Sequence, residues 1–215
     1  SILFSEMIGV WVVSFWESLN SPKQFNLIEL GAGNGEMMTI LTGVFNKFPQ
    51  FNSSCNIKIL EKSKHLKKIQ KQKIKNHKVK WLDDLKDLNN LPCIFIANEF
   101  FDALPIKQFI KKKNRWHERY VKFNNQIKSE YLDIPFDITE LEEQLKFKIS
   151  LKQNFIEYSP LTSEYLKDIT SKISLNNGGI LIIDYGYLNK KMKNTIQAVS
   201  KHKYTDVLNS FRNSD

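Results

Sequence analysis

Three of the chain's eight glycines fall within five residues, as Gly31-x-Gly33-x-Gly35, directly after the apolar run Phe25 to Leu30. The first allows a sharp turn after a strand, the second lets a ligand approach the backbone, and the third opens a following helix. The dinucleotide pattern GxGxxG is not met. Glu29 stands two residues before the first glycine. Glu61 ends a second alternating run, Asn56 to Leu60. A carboxylate there can accept both ribose hydroxyls of a nucleoside, or it is a surface acid among lysines. Farther on, Asn98-Glu99-Phe100-Phe101-Asp102-Ala103-Leu104-Pro105 follows the apolar run Cys93 to Ala97. In open parallel sheets ligands sit beyond the carboxyl ends of the strands, so this segment faces a bound ligand. Its carboxylate suits a guanidinium, which it can grip with two hydrogen bonds. For Phe100 and Phe101, packing is the alternative.

The alternate-glycine loop preceded by an acid resembles motif I of the class I S-adenosyl-L-methionine (SAM) methyltransferases. SAM has no pyrophosphate; it carries a cationic sulfonium and an α-amino group, which gives Glu29 an electrostatic purpose, direct or through water. Such enzymes often place an acid after the third strand against the adenine amino group. Asp83 or Asp84 of Trp81-Leu82-Asp83-Asp84 fits that place, and equally fits the cap of a helix starting at Leu85.

Over nearly its whole length the chain is similar to the MidA family, the bacterial and mitochondrial SAM-dependent protein arginine methyltransferases linked to assembly of respiratory complex I. The segments that carry the resemblance are EMIGVW (6–11), FNLIELGAGNG (25–35) with Ser21-Pro22, and IANEFFDALPIKQF (96–109). Trp116-His117-Glu118-Arg119, IEYSP (156–160) and GGILIIDYG (178–186) complete it. The resemblance implies that Glu29, Gly31, Ala32, Gly33, Gly35, Glu61, Asp83 and Asp84 hold SAM, with S-adenosyl-L-homocysteine as product. It implies that Asn98, Glu99 and Asp102 border methyl transfer, with Glu99 the carboxylate facing the arginine. Glu157 is either a second such carboxylate or a strand-end acid supporting the insertion. The implied partner is a protein substrate such as a complex I subunit, and the implied location is the bacterial cytoplasm or, alternatively, the mitochondrial matrix. The family's loop usually reads Gly-Pro-Gly-Arg-Gly, and Ala32 and Asn34 depart from it. Family members also extend beyond both ends, so the chain reads as truncated at each.

The elements that must position these residues alternate. Helical spacing runs over Glu6 to Leu19, ended by Ser21-Pro22, and over Glu36 to Phe48, closed by Pro49. Ser63 caps a Lys-rich helix reaching about Asn76. Val79 to Leu82 and Ile180 to Asp184 add strands. Between the last two core strands, Gln108 to Ile110, Trp116 to Phe123 and Ile127 to Leu132 form an antiparallel meander turning at Asn124-Asn125. Asp137 to Phe147 and Leu161 to Ile173 are helical, and Phe155 to Tyr158 is extended. The pattern predicts an α/β fold of the Rossmann-like class I methyltransferase type, with a mainly parallel sheet. One domain spans 1–215: a core over about 1–105 and 177–215, and an inserted substrate-recognition region over about 106–176.

The composition excludes other classes. Cys55 and Cys93 form no CxxC, and His65, His77, His117 and His202 have no ligand spacing, so neither a disulfide framework nor a metal is expected. The run Met7 to Trp16 is too short to span a bilayer. The net charge is +9, with ten lysines and one acid between Lys58 and Lys80. No arginine interleaves them, so they read as a solvated helix face rather than a nucleic-acid surface. A nucleic-acid methyltransferase using these lysines is a second alternative, ranked lower because the Asn/Asp-Pro-Pro-Tyr motif that DNA and glutamine methyltransferases carry at this place is missing after Ala97. A catalytically silent assembly module with the same fold is the alternative of a different class.

Overall fold

Phe25–Leu30 (β1) is buried at all six positions, as the middle strand of a parallel sheet requires. We describe the chain from a computed structural model covering residues 1–75, 79–123, 129–188, 191–200 and 203–208. β1 pairs in parallel with Cys55–Leu60 (β2) on one side and Cys93–Asn98 (β4) on the other. Lys80–Leu82 (β3) and Gly178–Ile183 (β9) complete a five-stranded sheet of order β3-β2-β1-β4-β9. The winding direction reverses between β1 and β4. That switch opens a crevice where Leu30 and Ala97, which are register partners, end.

Alternate residues of the strands face two apolar layers. Ile2–Ser18 (α1) and Glu36–Phe45 (α2) cover Phe25, Leu27, Ile57 and Ile59 with Ile8, Val12, Val13, Trp16, Leu41 and Phe45. Pro160–Asn176 (α6) and the 3-10 turn Leu85–Asp87 cover Ile28, Leu30, Leu60 and Phe95 with Ile169, Leu85 and Leu88. Pro49 does not close a helix but opens a short one, Pro49–Ser54 (α3), because its fixed φ and missing N–H suit a first turn. Lys64–Lys73 (α4) is the Lys-rich helix, capped by the Ser63 hydroxyl on Leu66 N–H as expected.

The chain divides into two compact units, Ser1–Leu104 with Leu161–Gly186, and Pro105–Pro160 with Tyr187–Asp215. In the second, Lys107–Lys112 (β5), Arg115–Phe123 (β6), Ser129–Pro135 (β7) and Phe155–Tyr158 (β8) form an antiparallel sheet of order β7-β6-β5-β8. The expected meander is present, and the extended segment joins it as an edge strand. Lys113 and Asn114, both at positive φ, make the tight turn between β5 and β6. The expected turn at Asn124-Asn125, and His77 and His202, lie outside the described residues. Ile138–Leu145 (α5) buries Leu141 against Phe109 and Ile156. Ala198–Ser200 (β10) and Lys203–Thr205 (β11) pair as a separate antiparallel hairpin that periodicity did not reveal.

Two positions in the first unit set its tolerance. A β-carbon on Gly178 would stand 1.9 Å from the Cys93 carbonyl oxygen, at φ +138°. Gly178→Ala should therefore cost about 3 kcal/mol of stability by backbone displacement and strain, measured by urea unfolding. Glu29 is the polar exception near the end of β1. It is 2 % exposed, its Oε2 has no hydrogen-bond partner, and burial pushes its carboxyl from 4.5 up to about 8. The folded state keeps this proton while the unfolded chain loses it. The stability it lends is thus complete below the unfolded value and is lost as pH rises toward about 8, at about 1.4 kcal/mol per pH unit. Glu29→Gln should flatten that fall between about pH 5 and about pH 8 in unfolding curves; a slope unchanged by the substitution would disprove it.

Candidate active site

The glycine loop hangs from the end of β1 by a hydrogen bond from Gly31 N–H to the Leu60 carbonyl, 3.0 Å. Gly31 and Gly35 are at φ +63° and +82°. Gly31 needs its missing side chain twice over, because a β-carbon would lie 2.7 Å from the Phe100 ring. Gly35 caps α2 in the left-handed conformation. Asn34 closes the turn by accepting Glu36 N–H at 3.2 Å. Ala32 points its methyl into the core, so only its backbone is available to a ligand.

Glu61 sits just beyond β2, 8 % exposed. Its Oε1 accepts Ser63 N–H at 2.8 Å and its Oε2 accepts the Gln70 amide at 3.1 Å. Gln70 also donates to the Gly33 carbonyl at 2.8 Å, and its own carbonyl accepts the Trp81 indole N–H at 2.7 Å. The acid is therefore no free surface carboxylate. The two aspartates after β3 differ. Asp83 is exposed and ion-paired with Lys67 at 2.6 Å, which holds its carboxyl below the usual range. Asp84 caps the 3-10 turn through Lys86 N–H at 2.9 Å. Both border a cavity of about 110 Å³ that Lys62, Glu164 and Tyr165 also line.

Beyond β4 the chain turns tightly. Asn98 is half-buried and in register with Ile183. Glu99 is exposed and left-handed at φ +48°, with its N–H donating to the Ile183 carbonyl at 2.8 Å. Asp184, just past β9, accepts the N–H groups of Phe101 at 3.0 Å and Asp102 at 3.3 Å. Asp102 is raised by its burial, then by the negative charges of Asp184 and Glu99. Three carboxylates thus gather at the carboxyl ends of β4 and β9. Phe100 lies against Gly31 and meets Tyr165 edge-on, ring centres 5.2 Å apart. The loop and the post-strand motif are in contact through that ring.

Sequence reasoning missed Gln70, Trp81 and Asp184 as members of this cluster. For Gln70 a signal existed: Leu66, Gln70 and Ile74 recur every four residues on an otherwise charged helix. Glu157, in the second unit, is engaged by Gln108 and by the backbone and hydroxyl of Thr195, as a supporting strand-end acid would be. On α4, Lys67 and Lys73 are paired with Asp83 and Glu36, and Lys71 lies over Trp81, consistent with a solvated face. Among the described residues no group of side chains could hold a metal ion, and no helix is long and apolar enough to cross a membrane.

Known proteins resemble this chain in sequence and in fold. The family described as "Putative S-adenosyl-L-methionine-dependent methyltransferase" matches residues 7–215. The mitochondrial protein arginine methyltransferase NDUFAF7 of Xenopus laevis is 28% identical over 97% of this chain and 53% of its own length. The human protein of the same name is 26% identical over 97% and 52%. The chain spans about half the length of these curated relatives. A crystal structure from Burkholderia thailandensis bound to S-adenosyl-homocysteine superposes with TM-score 0.68 at 19% identity, covering 87% of this chain and 48% of that one. A native crystal structure from the same organism gives 0.76 at 18% identity, over 99% and 58%. These two share the fold, a Rossmann-like sheet wound as described above. With the glycine loop, Glu61 and Glu99 all inside the matched span, the chain belongs to this family of S-adenosyl-L-methionine-dependent methyltransferases.

Proposed function

We propose that this chain binds SAM over Gly31 to Gly35 and directs its methyl group to an arginine side chain of a protein. The observation that carries the reading is Glu99, held in a left-handed turn at the end of β4 and joined to the glycine loop by Phe100. The residues of the site fit this cofactor. The loop leaves no room for a side chain at Gly31, so the backbone itself forms the cradle. Each oxygen of Glu61 has accepted one hydrogen bond and keeps capacity for a sugar hydroxyl. Asp83 and Asp84 each have Oδ1 engaged, by Lys67 and by Lys86 N–H, and either can offer Oδ2 to the adenine amino group. Glu29 supplies a carboxyl whose Oε2 awaits a partner.

When bound, SAM supplies an electrophilic methyl group on a cationic sulfur, and S-adenosyl-L-homocysteine is left behind. The protein's work is placement. Glu99 can accept two N–H bonds from one guanidinium, fixing the nitrogen that attacks. Asp102 and Asp184 make the surroundings negative, which draws a cation in and disfavours its loss of charge before capture. The departing thioether is neutral and needs no acid, and the proton displaced from the methylated nitrogen passes to water by way of the exposed Glu99 carboxylate. We infer a respiratory complex I subunit as the protein substrate on the MidA resemblance, and an arginine as the acceptor on that resemblance and the name of the curated relatives. A reducing compartment suits the two buried free cysteines, Cys55 and Cys93, whether bacterial cytoplasm or mitochondrial matrix.

Two measurements test this. Calorimetric titration should detect S-adenosyl-L-homocysteine binding, and Gly31→Ala should weaken it by about 100-fold, because the methyl group displaces Phe100 and strains the turn. No heat with the unaltered chain would instead favour a silent assembly module. In methyl transfer from labelled SAM to a mixture of complex I subunits, Glu99→Gln should bind S-adenosyl-L-homocysteine as before and lose about 100-fold or more in rate. Unchanged turnover removes Glu99 from the reaction.

A further inference from the structure

Gln70 has no exposed surface, although α4 is a lysine-rich surface helix. All the hydrogens of its amide are used: Nε2 donates to the Gly33 carbonyl and to Glu61 Oε2. The Trp81 indole N–H meets its Oε1 at 2.7 Å. The reversed amide would set its oxygen against two acceptors and its NH2 against the indole N–H, so Trp81 permits one orientation only. This network closes a ring of three chain segments: the glycine loop, the end of β2 and the start of β3. Glu61 is its focus. Ser63 N–H takes one acceptor position on Oε1 and Gln70 takes one on Oε2, at 2.8 and 3.1 Å. A carboxylate oxygen has about two such positions. One stays open on each oxygen, which matches the two O–H donors of a vicinal diol.

We propose that Gln70 is a positioning residue that sets the plane of the Glu61 carboxylate and ties it to Gly33, so that the site selects a nucleoside bearing both ribose hydroxyls. The inference rests on the SAM-site reading above. Gln70 does not touch the ligand; it acts through Glu61. Its loss therefore penalises the diol and not the rest of the cofactor.

The test is calorimetric binding of S-adenosyl-L-homocysteine and of its 2′,3′-dideoxy analogue to the unaltered chain, Gln70→Leu, Glu61→Gln and the double variant. Gln70→Leu should weaken the diol ligand by about tenfold or more and the dideoxy analogue by less than about threefold. Added to Glu61→Gln it should cost nothing further, since the two act as a unit. Trp81→Phe keeps an aromatic ring but removes the N–H together with the five-membered part of the indole, and should show the same ligand selectivity in weaker form; it serves where Gln70→Leu does not fold by circular dichroism. Equal losses on both ligands, or additive losses with Glu61→Gln, overturn the proposal while leaving the SAM site intact. Failure of the unaltered chain to bind S-adenosyl-L-homocysteine overturns the SAM site and this proposal with it.

Discussion

The contact between Gly31 and the Phe100 ring is the constraint on which the site depends. It has no room for even one methyl group. Through it the loop after β1 and the motif after β4 share a position at the point where the sheet reverses its winding. A longer side chain at 31 would push the Phe100 ring away, and with it the turn that carries Glu99 and Asp102. Because Phe100 also packs on Tyr165 of α6, the constraint extends to the helix that covers the same side of the sheet.

Around this contact the charges are arranged by burial rather than by number. The chain as a whole is basic, yet the carboxyl ends of β1, β2, β4 and β9 carry Glu29, Glu61, Glu99, Asp102 and Asp184. Two of these, Glu29 and Glu61, are nearly excluded from water. Burial of an acid is costly unless it is paired, hydrogen-bonded or protonated. Glu61 meets that requirement with hydrogen bonds and Glu29 with a proton. Asp184 meets it by capping backbone N–H groups, which turns a negative charge into the brace of the neighbouring loop. Apart from the protonated Glu29, these acids create a local environment for a cationic ligand that the lysines of α4 do not cancel, since several of them are already committed to Asp83, Glu36 and the Trp81 ring.

Much of the fold was legible because its signals are local. The buried run Phe25 to Leu30, the alternation of Ile57 and Ile59 and the glycines at 31, 33 and 35 each encode a backbone state within a few residues. Pro49 misled for the same local reason: a proline stops one helix and starts another equally well, and only the burial of Phe51 against Phe45 decides. The hairpin of β10 and β11 was illegible, since three-residue strands carry no usable period.

By itself the sequence determined the order of strands and helices, the turn that only glycine can make, and the carboxylate that follows β4. Those depend on backbone sterics and periodicity, which act over short spans. Tertiary structure decided which acids are free and which are bound. Asp83 and Asp84 are adjacent and chemically alike, yet Lys67 from α4 claims one and the 3-10 turn the other. Asp184 braces Phe101 across 83 residues, and Gln70 reaches Gly33 across 37. Such partners are chosen by sheet register and helix docking, and those are set by the packing of the entire apolar core.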